Sequence, residues 1–204
     1  MKHTYVQIFA LILLLGFSLN AQSATFNMDE GRDHGSWASL KLSLGAKRFY
    51  RAINSDDYSD MRVMVDFDAD KCEPELDIQI DFNRSFSESE SLGLREVDVR
   101  VDRKSIHESL MQLSTVAGDS TLYGYVLVGD MPRLISEMRL GKTVRFKFEM
   151  PDEGSDPLYA ELSLDGSQAA LDRALALCKR DQPGPEEYFQ EDGGTGDESA
   201  ADYF

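Results

Sequence analysis

The sequence predicts a mainly β protein: an antiparallel, β-sandwich-like domain with two short helices, the C-terminal one tethered by a disulfide. Three observations carry that expectation. Apolar and polar residues alternate strictly over six separate segments, the period of strands with one buried and one wet face. Such strands usually pair antiparallel, and two layers of them stack as a sandwich. Two further segments switch to helical spacing, and one of the only two cysteines lies on the second.

Taken in order, the chain opens with Lys2 and His3, then an apolar run over residues 6–17 broken only by Gln7. Small residues follow, with Ala21 and Ala24 as exits. This is the shape of a secretory signal peptide, over residues 1–21 or extending to 24. The run falls short of the roughly 20 apolar residues that a membrane span needs. The expectation is a soluble, exported protein, periplasmic in a Gram-negative cell, with no membrane insertion once the leader is removed. Residues 22–36 read as a flexible lead-in, and residues 37–180 as the domain.

Within the domain, Leu40, Leu42 and Leu44 mark the first alternating run, and Val63, Val65 and Phe67 the second. Leu76, Ile78, Ile80 and Phe82 form the third, and Val97, Val99 and Val101 the fourth. Residues 121–128 are strand-like and apolar on both faces. Asp130, Pro132 and Gly141 bracket a helix as cap, first-turn proline and terminal glycine. Val144, Phe146 and Phe148, then Leu158, Ala160, Leu162 and Leu164, resume the alternation. The last helix follows Gly166, with Leu171, Ala174, Leu175 and Cys178 on one stripe. Residues 105–116 stay open between a helix, begun by a Ser105–Glu108 capping box, and a short strand.

Cys72 and Cys178 are expected to pair, since two thiols in an oxidising compartment do so. The loop they close is of the length for which chain-entropy estimates give about 4.7 kcal/mol. A stripe position turns Cys178 toward the body. No C-x-x-C occurs to mark a redox-active cysteine.

The net charge of −16 argues against nucleic acid, because there is no basic stripe to release counterions from phosphates. About half of that charge sits in the tail, where residues 181–204 hold eight acidic residues and no Lys or Arg. Their composition is that of an acidic disordered tail. Tyr188, Phe189, Tyr203 and Phe204 are its aromatic anchors, the candidate contacts for a peptide-binding partner.

Catalytic constellations are missing. No G-x-S-x-G occurs, and beyond the leader only His34 and His107 remain, so a histidine zinc site or a Ser-His-Asp triad would have to use one of them. Asp66, Asp68 and Asp70 have the start of a calcium loop. Lys71 and Asp77 stand where that loop wants Gly and a bidentate Glu. On strand spacing, Asp66 and Asp68 share the solvent face. The expectation is no enzyme, no catalytic residue, no cofactor and no dedicated metal site.

A resemblance attaches to the C-terminal stretch from Tyr159 through Gly166 and Leu171 to Cys178. A strand, a Gly turn and an Ala/Leu helix ending in Cys resemble the ends of exported proteobacterial envelope proteins. One such group is the type VI secretion-associated periplasmic VasI/TagO type, and another is the invasion-associated locus B type. Cys72 near a strand pair and the run Val97-Asp98-Val99-Arg100-Val101-Asp102 are similar to features of the first group. The tryptophan expected after that run is absent; the single Trp is Trp37. The resemblance implies a β-sandwich-like envelope protein without a catalytic site.

Two functions follow. The first is a non-catalytic binding or accessory (adaptor) protein of the cell envelope or a secretion system. The alternative is an acidic inhibitor or immunity-type protein that binds a cationic enzyme. In both, the partner is a protein, and electrostatic steering favours a basic one.

Overall fold

The computed structural model describes residues 27–54, 60–82, 84–149 and 156–182. The expected signal peptide lies outside them, as do Tyr188, Phe189, Tyr203 and Phe204. Ten strands are present among the described residues: β1 (Asn27–His34), β2 (Trp37–Leu44), β3 (Lys47–Asn54), β4 (Met61–Asp68), β5 (Pro74–Asp81), β6 (Glu90–Val101), β7 (His107–Thr115), β8 (Thr121–Val128), β9 (Thr143–Phe148) and β10 (Leu158–Ser163). They form one antiparallel sheet in the order β1-β2-β3-β4-β5-β8-β7-β6-β9-β10. Helix α1 (Met131–Leu140) follows β8, and α2 (Ser167–Arg180) follows β10.

The sandwich-like core is enclosed by this one sheet. The start of β2 meets the end of β10. Trp37 Nε1 donates to the Ser163 carbonyl at 2.8 Å, Asn54 Nδ2 donates to the same oxygen at 3.2 Å, and Ser36 N donates to the Asp165 carbonyl at 3.1 Å. The inner face carries most of the residues that the alternation marked; β2 is the exception, turning Trp37, Ser39 and Lys41 inward and Leu40, Leu42 and Leu44 outward. Val63, Val65 and Phe67 meet Leu76 and Ile78, and across the core Val97, Val99, Val144, Phe146 and Phe148. Each such side chain contributes about 1.5–3 kcal/mol when fully buried.

Both helices close the same side. α1 begins where Asp130 accepts the Arg133 N–H at 3.1 Å and ends where the Gly141 N–H reaches the Glu137 carbonyl. α2 turns Ala170, Leu171, Ala174 and Cys178 inward, and Lys179 and Arg180 in its last turn complement its dipole. Ser167 Oγ donates to the Met138 carbonyl at 2.7 Å, joining the helices. Cys178 is disulfide-bonded to Cys72 in the β4–β5 turn, as expected.

Four expectations change. The lead-in over residues 22–36 contains β1. Its side chains are nearly all exposed and its order comes from backbone bonds to β2, so no apolar period announces it. β3 was not foreseen, because its buried positions Tyr50, Ala52 and Asn54 mix polar with apolar groups. Residues 107–115 resolve as strand β7, since His107, Met111, Leu113 and Thr115 face the core at period two. The tail does not begin free at residue 181. Asp181 accepts from Lys41, Tyr50 and Arg180, and these bonds, Arg180 first, hold its carboxyl well below the ordinary range.

Gly166 sits at φ +85°, and a Cβ there would lie 1.3 Å from the His34 carbonyl oxygen. Gly166→Ala is therefore expected to cost more than about 1–3 kcal/mol, because strain and backbone collision add; urea unfolding measures it. Reduction of Cys72–Cys178 should lower the denaturation midpoint, by up to about 4–5 kcal/mol of stability, in the same assay.

Candidate functional site

In an antiparallel pair, residues directly opposite share a face. The residues facing α1 and α2 therefore leave a second set on the outer face. Leu40, Arg51, Asp66 and Glu75 form one cross-strand row. Met64, Asp77, Tyr125, Gln112 and Leu94 form the next. Gln79, Tyr123 and Ser114 form a third. The twist of the sheet hollows this face into a trough of about 600 Å³, running from Met28 and Leu42 to Gln112 and Ser114.

Its chemistry is a charged floor between apolar and aromatic walls. Arg51 grips Asp66 with both arms of its guanidinium, Nε to Oδ1 at 2.7 Å and Nη2 to Oδ2 at 2.6 Å. That fork is the strong carboxylate geometry, and it is needed because Asp66 is buried at 5% exposure. Asp77 gets no such bond. Burial pushes its carboxyl up to about 7, the Asp66 carboxylate adds to the rise, and Arg51 opposes it. Glu75 is raised likewise, by burial and by Asp68 and Asp66. The phenol of Tyr125 is raised by burial and then by Glu75 and Asp77. Near neutrality the trough therefore holds one carboxyl that is partly protonated.

A larger cleft, about 840 Å³, opens between the end of α1 and the start of α2. Its Arg139 lies 2.9 Å from Asp172.

The residues singled out from sequence are not brought together. Asp66 and Asp68 do share the outer face, but Asp66 is not wet there: it is buried and held by Arg51. Asp68 Oδ1 accepts the backbone N–H of Asp70 at 2.8 Å, an Asx turn. Among the described residues no group of three His, Cys, Asp or Glu side chains is placed to hold a metal. His34 Nε2 lies 2.9 Å from Ser39 Oγ, and burial with nearby Arg173 keeps it below its ordinary pKa. His107 is buried, with Nε2 3.0 Å from Glu137 Oε2, while Arg133 Nε donates to Oε1 of the same carboxylate at 3.0 Å. That trio braces α1 against β7. The trough residues Arg51, Tyr123 and Tyr125 were missed. Their only trace in the sequence is polar and aromatic residues on the wet phase of strands, and no spacing rule joins the seven strands that line the trough.

No family model and no curated protein matches the chain. Among solved structures, invasion associated protein B from Bartonella henselae is similar at TM-score 0.50 and 18% identity, over 73% of this chain and 98% of that one. At that identity the likeness is one of fold. It falls on one of the two groups that the C-terminal stretch resembles. The disulfide fits an extracellular or periplasmic setting. Among the described residues no helix is long and apolar enough to cross a membrane.

Asp77 gives a pH prediction. Its folded pKa is about 7 against an ordinary 3.8, so the folded state binds the extra proton between those values. The contribution of Asp77 to stability is thus greatest at low pH and is lost as pH rises toward 7. Asp77→Asn should gain about 1–3 kcal/mol over the parent at pH 8 compared with pH 4, the range allowing for partial solvent screening. Parallel urea titrations at the two pH values measure it; an equal difference at both would refute the assignment.

Proposed function

We propose that this chain is a non-catalytic binding or accessory protein of the cell envelope, exported to the periplasm, and that the outer-face trough is where it holds its partner. The observation that carries the reading is the trough itself. It combines apolar walls, an Arg51–Asp66 ion pair and the nearby Asp77 carboxyl, the composition of a recognition site. The fold likeness to an invasion associated protein supports an envelope setting, as does the leader read from residues 1–21. The resemblance to type VI secretion accessory proteins leaves a secretion system among the possible assemblies.

The rival reading, an acidic inhibitor of a cationic enzyme, draws on the carboxylates that Glu75 and Asp77 place on the folded body rather than on the tail. It requires loss of a partner enzyme's turnover on binding.

A photo-crosslinking residue at position 125, introduced into the full chain in its native cells, tests the first reading. A discrete partner captured there, and not from position 159 on β10, is the expected result. Turnover of any substrate by the purified protein that disappears in Asp77→Asn would replace the binding role with an enzymatic one.

A further inference from the structure

We propose that the outer face of β5, β8, β7 and β6 docks a basic, apolar peptide segment of a partner protein, with arginine or lysine side chains interspersed among aliphatic ones. This rests on the binding role above and names its ligand class.

The trough does not end at Tyr125. The register sets Tyr125 opposite Gln112, Leu127 opposite Leu110, and Leu94 opposite Gln112. Leu94, Leu110, Tyr125 and Leu127 are therefore neighbours on three adjacent strands. They are 48%, 42%, 38% and 46% exposed. A contiguous apolar patch of this kind is unusual on a free surface and marks an interaction site. A second hollow, of about 600 Å³, runs along its far side past Glu96, Asp98 and Glu108. The apolar strip thus lies between two acidic margins, Glu75 and Asp77 on one side and Glu96 and Glu108 on the other.

Charge decides the occupant. Arg51 is committed to Asp66, and Lys147 lies opposite Asp98 in the ladder. The margins keep an excess of carboxylates. A segment with basic groups meets them on both sides while its aliphatic groups cover the leucines, and the electrostatic match speeds and orients encounter. The same excess repels the chain's own residues 183–204, whose charges are all acidic, and it repels an anionic lipid surface. It also opposes the pairing of this face with itself in a second copy.

The test uses the full chain and a fluorescein-labelled nonapeptide of alternating leucine and arginine, followed by anisotropy. Saturable binding is expected. It should weaken about tenfold when citrulline replaces arginine, and several-fold between about 50 and 300 mM salt. The double variant Leu110→Ser, Leu127→Ser should also lose about tenfold. Tyr159→Ser, which removes an exposed aromatic from β10 outside the patch, should not. Equal binding of the citrulline peptide overturns the proposal, as does an equal loss in Tyr159→Ser. Tighter probe binding after removal of residues 183–204 would make the tail the occupant. Self-association abolished by the double variant would make it a second copy. If the probe fails while position 125 still crosslinks a partner, the ligand class is wrong and the binding role stands. Failure of both removes both.

Discussion

The seam at Ser163 is the constraint on which the rest depends. A ten-stranded sheet has two free edges and an inner face rich in valine and phenylalanine. Left open, that face would be wet. The Ser163 carbonyl takes bonds from Trp37 and Asn54, and the Asp165 carbonyl takes the Ser36 amide. These contacts bring the first and last thirds of the chain together, and the sheet becomes an enclosure. Gly166 is what allows the approach, since any side chain there would occupy the position of the His34 carbonyl.

Closure then dictates the position of α2. The helix leaves the seam and crosses the inner side of β2 and β3, where Arg173 reaches Ser39 Oγ at 3.0 Å. Its far end is fixed twice, covalently by Cys72–Cys178 and electrostatically by Asp181. Arg180 adds a fork onto Glu30 of β1, at 2.9 and 2.6 Å. So the helix that fills the inner face also secures the edge strand. Among the described residues no helix covers the outer face, which carries the trough and its leucine patch.

The trough shows how a stable scaffold tolerates an unfavourable group. Asp66 is buried and fully paired, and it is costly only if Arg51 is lost. Asp77, beside it, has no hydrogen-bonded ion pair among the described residues, and burial holds its proton more tightly. Perturbed titration of this kind clusters at functional sites. Here it coincides with a cavity and with exposed apolar neighbours, which a purely structural ion pair does not require.

The sequence by itself determined most of the strands with alternating faces, both helices, the caps of the first, and the cysteine pair. These are local signals: periodicity is written within eight residues, and Asp130 lies three residues from the amide it caps. It could not determine β1, whose order is borrowed from the backbone of β2, nor β3, whose inward residues include Asn54. It also left the site illegible. Arg51, Asp66, Asp77 and Tyr125 belong to four strands, and only the register across β3, β4, β5 and β8 sets them side by side. Register is chosen by the packing of the whole inner face, because a slip of one residue would exchange core and solvent sides. Tertiary structure therefore decided the site, while local chemistry had already decided most of the elements that hold it.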